Sequence, residues 1–227
     1  MGNGQSAAEE ECVGYRVLGV QPNSPASEVG LVSFFDFIVA ANGLPLKTLD
    51  NSFIETIKSS VDQPLPLTVF NYKSGTERDV TITPSRTWGG QGMLGVTIRF
   101  DSYFNADDNL VRVLAVAPRS PAQIAGLREE EDYLLGTAER VFKDPDILFE
   151  EVVSHLEQPM EFYVYNTKTD QVRVVVVLPT DHWGGEGALG AEVGHGYLHR
   201  LPASCRESTA SSVGNGISIP APDATGG

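Results

Sequence analysis

Trp88-Gly89-Gly90-Gln91-Gly92-Met93-Leu94-Gly95 returns 95 positions later as Trp183-Gly184-Gly185-Glu186-Gly187-Ala188-Leu189-Gly190. The phrase closes a longer repeat. Val17-Leu18-Gly19-Val20 matches Val113-Leu114-Ala115-Val116, and Asn23-Ser24-Pro25-Ala26 matches Arg119-Ser120-Pro121-Ala122, both at an offset of 96. Gly30-Leu31 and Asp36 match Gly126-Leu127 and Asp132 at the same offset. Gln63-Pro64, Phe70-Asn71 and Pro84 return as Gln158-Pro159, Tyr165-Asn166 and Pro179 at an offset of 95, so one residue is deleted between the blocks. Matches this numerous and in one order mean internal duplication, and a period of this length gives two domains rather than a solenoid.

Each copy carries the same local signals. An apolar strand, Arg16 to Gln21, runs into Ser-Pro-Ala, a helix start that stops near Gly30. Phe34 to Ala41 is an apolar run of strand length, followed by the turn pair Asn42-Gly43. Ser52 and Glu55 have the spacing of a capping box for a helix reaching about Val61, with the stripe Phe53, Ile54, Ile57 and Val61. In the second copy Asp144-Pro145 supplies an N-cap and a first-turn proline, and the stripe is Leu148, Phe149, Val152 and Leu156. A hairpin follows: Leu67 to Tyr72 and Glu77 to Thr83 around Lys73-Ser74-Gly75-Thr76, then Phe162 to Tyr165 and Val172 to Leu178 around Asn166 to Asp170. The glycine loop and a strand such as Leu94 to Phe100 end the copy. The expected fold is mostly β with two helices per copy, each copy a partly open β-barrel capped by helices.

The repeat divides the 227 residues into an N-terminal segment 1–12, modules at 13–104 and 105–201, and a tail at 202–227. Ser, Ala, Gly, Pro and Thr dominate the tail, which is expected to be disordered because it has too little apolar surface to order itself. Sixteen Lys and Arg against 30 Asp and Glu give a net charge of −14, which argues against nucleic acid and against adsorption on anionic lipid. Cys12 and Cys205 are the two cysteines; they form no CxxC pair and no disulfide framework. The polar, acidic start is not a secretory signal, and no apolar run approaches the length of a membrane span.

Gly-x-Leu-Gly before a strand can aim consecutive backbone N–H groups at one anion, because glycine permits positive φ and close approach. A peptide carboxylate is the natural guest, and the strand after the loop offers an edge for main-chain pairing. Catalytic chemistry has no such support. Gly-x-Ser-Gly-Gly and Gly-x-Ser-x-Gly are absent, as are a P-loop and a dinucleotide fingerprint. Ser24 and Ser120 sit where a helix cap belongs. His195, His199 and Cys205 lie in a strand or the tail and read as solvated or hydrogen-bonded, so neither metal nor cofactor is expected.

Gly-x-Leu-Gly-Val with Ser-Pro-Ala, Gly-Leu and a later groove helix is similar to PDZ domains, with the carboxylate loop late in each copy, as in the circularly permuted, bacterial-type arrangement. Two copies of Trp-Gly-Gly-x-Gly-x-Leu-Gly after an N-terminal Met-Gly resemble the Golgi reassembly and stacking protein (GRASP) family. Phe34-Phe35-Asp36-Phe37-Ile38-Val39, Tyr163-Val164-Tyr165-Asn166-Thr167 and Gly196-Tyr197-Leu198-His199-Arg200 extend the likeness, which covers residues 13–201. The resemblance implies a non-enzymatic scaffold on the cytoplasmic face of the Golgi. Such a scaffold binds golgin C-termini, self-associates as a homo-oligomer to link or stack membranes, and supports unconventional secretion. The first groove would be Leu94, Gly95, Val96 and Ile98 against Ile54 and Ile57, and the second Leu189, Gly190, Ala191 and Val193. Glu186 in place of Gln91 repels a carboxylate, so the first loop is expected to receive C-termini and the second to serve another contact. Some animal members place zinc ligands at the positions held here by Arg16 and Asp101, and a cationic Arg there argues against that site. Met1-Gly2-Asn3-Gly4-Gln5-Ser6 fits N-myristoylation at Gly2. One such chain binds membrane marginally, so a membrane-bound golgin in a groove is the expected second anchor. The alternative is a PDZ-type sensor of peptide termini regulating a protease partner; a Met-Gly start without a signal peptide disfavours it.

Overall fold

The computed structural model describes residues 12–213. Two sheets carry the chain. In the first, β1 (Val13–Val20), β2 (Asp36–Ala41), β3 (Leu44–Pro45), β4 (Leu65–Asn71), β5 (Thr76–Ile82) and β6 (Val96–Ser102) lie in the order β5-β4-β2-β1-β6, with β3 paired to β2. In the second, β7 (Val111–Val116), β8 (Asp132–Gly136), β9 (Met160–Asn166), β10 (Gln171–Val177), β11 (Ala191–His195) and β12 (Ser211–Ser212) lie in the order β11-β7-β8-β9-β10-β12. The path β10-β9-β8-β7-β11 reproduces that of the first sheet, as duplication requires. Its one addition is β12, parallel to β10.

The helices α1 (Pro25–Glu28), α2 (Ser52–Ser59), α3 (Pro121–Ile124) and α4 (Pro145–Ser154) also fall in duplicate. Ser24 and Ser120 cap α1 and α3, their hydroxyls accepting from Ser27 N–H and Gln123 N–H, each at 3.1 Å. Asp144 caps α4 by accepting from Ile147 N–H at 2.9 Å. The Ser52–Glu55 capping box does not form. Asn51 is the N-cap without a side-chain bond, and Asp50 one position earlier accepts the Ser52 N–H at 2.8 Å. Asp50 reaches that donor first, drawing Ser52 into the helix.

Each module has its own core: Val17, Ile38, Phe53 and Val69 in the first, Val111, Leu134, Phe162 and Val175 in the second. A third cluster joins them. Phe34, Phe35, Phe37 and Tyr72 pack with Tyr133, Tyr163 and Tyr165. Phe34 meets Tyr163 at 5.2 Å and Phe35 meets Tyr165 edge-on at 5.0 Å. The expected strand Phe34 to Ala41 therefore begins only at Asp36; Phe34 takes a positive φ of 68° and both phenylalanines turn into the joint. Gly136 admits the Phe34 ring, since a Cβ there would lie 2.7 Å from it.

Buried polar networks repeat with the strands. Asp36 accepts from Asn71 at 2.7 Å and Arg78 at 2.5 Å; Asp132 accepts from Asn166 and Arg173, both at 2.7 Å. Both aspartates are fully buried, so these bonds replace their lost hydration.

The tail expected to be disordered from residue 202 is ordered over 202–213. Ala203–Glu207 form a 3-10 turn, Cys205 is buried, and β12 extends the second sheet. Hydrogen bonds rather than apolar area hold this segment. Ser212 Oγ accepts from Ser33 N–H at 2.8 Å, and Thr209 O from Asn71 at 3.1 Å. The Lys73 ammonium, buried although it follows a hairpin strand, donates to Ser208 O at 2.7 Å and pairs with Asp170 at 2.9 Å. Residues 214–227 lie outside the described residues.

Candidate peptide grooves

The glycine loop is built around its tryptophan. Trp88 Nε1 donates to Gly92 O at 2.8 Å, and Trp183 Nε1 to Gly187 O at 2.7 Å. Each ring folds over the loop's own glycines. A Cβ on Gly90 would lie 2.0 Å from Trp88, and one on Gly185 2.0 Å from Trp183. Gly95 combines φ +67 with a Cβ position 2.2 Å from the Ser24 Cβ, and Gly190 combines φ +65 with 2.4 Å to Ser120.

This packing turns the loop carbonyls inward. Met93 O accepts from Ser85 N–H, Leu94 O from Ala26 N–H and Gly95 O from Gln21 N–H, at 2.8, 3.0 and 2.8 Å. Ala188, Leu189 and Gly190 repeat this with Thr180, Ala122 and Ala117. With the carbonyls committed, the N–H groups of Leu94 and Gly95, and of Leu189 and Gly190, take no hydrogen-bond partner among the described residues. Adjacent free N–H groups beside a positive-φ glycine form an anion nest.

The first nest opens into a cavity of about 140 Å³ lined by Ile54, Ile57 and Lys58 of α2 and by Gly92 to Val96 and Ile98. The structure thus brings together Leu94, Gly95, Val96, Ile98, Ile54 and Ile57. They are not alike: Ile57 is buried, whereas Ile54 is 43% exposed at the lip. β6 is an edge strand, so its outer main chain can accept an added strand. Lys58, absent from the expected set, stands at the cavity with a cation suited to a carboxylate guest. Its spacing from Ile54, one helical turn on, was the available signal.

The second loop leads into edge strand β11, which begins at Ala191 and includes Val193; Leu189 is buried beside the nest. Phe149, placed on the core stripe by its spacing, is instead 68% exposed, and Val153 is 45% exposed. They occupy the helix positions of Ile54 and Lys58. Below this loop Thr180 and His182 hydrogen-bond Glu157 at 2.5 and 3.2 Å and hold its carboxyl below the ordinary value; Glu157 and Asp181 raise His182 in turn.

Arg16 and Asp101, the positions compared with zinc ligands, form an ion pair at 3.1 Å, and both are largely buried. Arg16 Nε also donates to Phe34 O at 3.2 Å, its guanidinium lies 4.8 Å from the Phe37 ring, and Lys143 of the second module reaches Asp101 at 3.1 Å. Two cations around one carboxylate do not fit a metal. His195 Nε2 contacts Lys143 O at 2.9 Å and His199 packs on Gly194. Among the described residues only Glu157, Asp181 and His182, all exposed, bring three such ligand atoms within 4.8 Å. Gly2 lies outside the described residues. No helix among them is long and apolar enough to cross a membrane.

Comparison with known proteins agrees with this duplicated architecture. A family model described as the GRASP55/65 PDZ-like domain matches residues 4–99 and 67–204. Golgi reassembly-stacking protein 1 of Homo sapiens is 41% identical over 204 residues, covering 89% of this chain and 46% of the relative. An uncharacterized protein of Schizosaccharomyces pombe is 36% identical over 196 residues, 86% of this chain and 55% of the relative. The GRASP65 homolog protein 1 of Saccharomyces cerevisiae is 28% identical over 206 residues, 76% of this chain and 54% of the relative. The chain spans about half the length of the curated relatives it matches. It belongs to the GRASP55/65 PDZ-like domain family.

Proposed function

We propose that this member of the GRASP55/65 PDZ-like family is a non-enzymatic scaffold on the cytoplasmic face of the Golgi. It takes the C-terminus of a golgin-type partner in its first groove and self-associates to link or stack membranes. Its modules are two circularly permuted PDZ-like units, 13–104 and 105–201, each a partly open barrel capped by two helices. The observation that carries the binding role is the pair of N–H groups at Leu94 and Gly95 that take no partner among the described residues, beside an apolar wall and next to Lys58. A carboxylate there gains two charge-assisted hydrogen bonds, while its last side chain enters the cavity between Ile57 and Ile98. The Golgi role is drawn from the name of the human relative, Golgi reassembly-stacking protein 1.

Self-association has its own support. Tyr197 and Leu198, in a short turn after β11, are 75% and 84% exposed, an apolar pair that a second copy can cover. A myristoyl group on Gly2 supplies one weak membrane attachment, and a groove-bound partner supplies the other. The binding role is tested by titrating a peptide with an apolar C-terminal residue and a free carboxylate against the full chain and Ile54→Glu. Ile54 is exposed at the lip, so the variant keeps its fold. Binding that is strong in the parent and at least tenfold weaker in the variant supports the reading; equal binding refutes it. Gly2→Ala tests the anchor: membrane association should fall, and full retention contradicts it.

A further inference from the structure

The two grooves share a backbone and differ systematically in charge. Around the first, Lys58 stands on the helix, Arg86 at the root of the loop, Gln91 in the loop, and Thr97 and Arg99 on the edge strand. The same five positions of the second copy hold Val153, Asp181, Glu186, Glu192 and Gly194. Position by position, Arg86 is replaced by an anion, Lys58 and Arg99 by neutral residues, and the neutral Gln91 and Thr97 by anions, so a set with three cations faces a set with three anions, all of them exposed. Neighbouring charges do not undo the inversion. Glu150 and Glu151 of the groove helix are paired with Arg140, at 2.7 and 3.3 Å. His182 sits between Glu157 and Asp181, 3.2 Å from each, so a proton on it is shared with two carboxylates.

The apolar wall changes in the same direction. Where the first helix offers Ile54 and Lys58, the second exposes Phe149 and Val153 beside edge strand β11. The Leu189 and Gly190 N–H groups again take no partner among the described residues. A carboxylate placed on them faces Glu186, whereas a neutral main-chain carbonyl carries no charge to repel.

We propose that the second groove binds an internal, cationic segment of a partner protein. The segment is extended, alternates apolar side chains with Lys or Arg, and adds to the edge of β11. Its apolar residues cover Phe149 and Val153, and its cations lie along Asp181, Glu186 and Glu192. The inference rests on the reading of both grooves as strand-accepting sites, and it assigns them opposite guests: an anionic chain end to the first and a basic stretch to the second.

Three probes decide it, titrated against the full chain: an acetylated, amidated peptide alternating Val or Phe with Lys; the same peptide with Glu for Lys; and an apolar peptide with a free carboxylate. The lysine probe should bind, and added salt should weaken it. Phe149→Glu should abolish that binding, and Ile54→Glu should leave it intact. Asp181→Arg, Glu186→Gln and Glu192→Thr together, which install the first copy's residues at exposed positions, should weaken it roughly fivefold, since each exposed pair contributes little and the three act together. Equal binding of the lysine and glutamate probes, no binding of the lysine probe, or its loss with Ile54→Glu overturns the proposal. The free-carboxylate probe reports the first groove separately. Its failure alone refutes the carboxylate reading, and its unchanged binding in Phe149→Glu and in the triple variant shows that they are folded.

Discussion

Phe35→Ala removes the side chain that most directly fastens one module to the other. Phe35 is fully buried, 5.3 Å edge-on from Tyr72 in its own module and 5.0 Å from Tyr165 in the second. Truncating a buried phenylalanine costs about 3–5 kcal/mol, and each lost aromatic pair adds roughly 0.5–1.5 kcal/mol beyond area. A loss of about 5 kcal/mol with a urea slope of about 3 kcal/mol per molar moves a midpoint by roughly 1.7 M. The chain carries its own reporters, Trp88 in the first loop and Trp183 in the second. Fluorescence of Trp88→Phe and Trp183→Phe backgrounds should give coincident transitions, because the shared cluster makes the modules unfold together. Phe35→Ala should shift both tryptophan signals by the same amount. Two separate midpoints in the parent, or a shift confined to Trp88, would refute a shared core.

Gly95→Ala should destabilise by more than Gly30→Ala. Both glycines have positive φ, a conformation costing about 1–2 kcal/mol for alanine, but nothing lies within 4 Å of a Cβ on Gly30, whereas Gly95 meets Ser24 and Trp88; chemical denaturation of the two variants measures the difference. Exchanging Gln91 and Glu186 should weaken free-carboxylate peptide at the first loop and improve it at the second; unchanged affinities at both would remove Glu186 from the account. Low pH should loosen the 208–213 segment. Burial alone would raise the Asp170 carboxyl, but hydrogen bonds from Ser208, Lys73 and Tyr165 outweigh it and hold it below the ordinary value. A depressed carboxyl contributes stability above its unfolded value, near 4, and loses it as pH falls through its folded value. Amide protection over 208–213, taken against the intrinsic exchange rate at each pH, should therefore fall below about pH 4 ahead of the central strands; a uniform fall would contradict this.

Local signals in the sequence located the loops, the caps at Ser24, Ser120 and Asp144, and the first cavity, because each depends on residues a few positions apart. The misreadings lie where distant chain decides. Phe34 and Phe35 look like strand residues, yet the second module draws them out of the sheet. The 202–213 segment has too little apolar area to order alone, but Ser33, Asn71 and Lys73 supply hydrogen bonds that composition does not reveal. Lys73 reads as a turn residue and is buried by that same segment. Phe149 fits the core stripe by spacing, and only the course of α4 leaves it exposed. The paired Asp36–Asn71 and Asp132–Asn166 recurrences carried a legible signal of buried networks, since a polar pair kept in both copies needs a structural partner.

The most direct measurement is an amide spectrum of the labelled chain during titration with an apolar C-terminal peptide, as free acid and as amide. The account predicts that Leu94 and Gly95 N–H resonances move downfield with the acid and much less with the amide, while Leu189 and Gly190 stay in place. Equal response to both peptides, or movement confined to residues outside the first loop, would contradict the assignment of those two N–H groups as the carboxylate receiver.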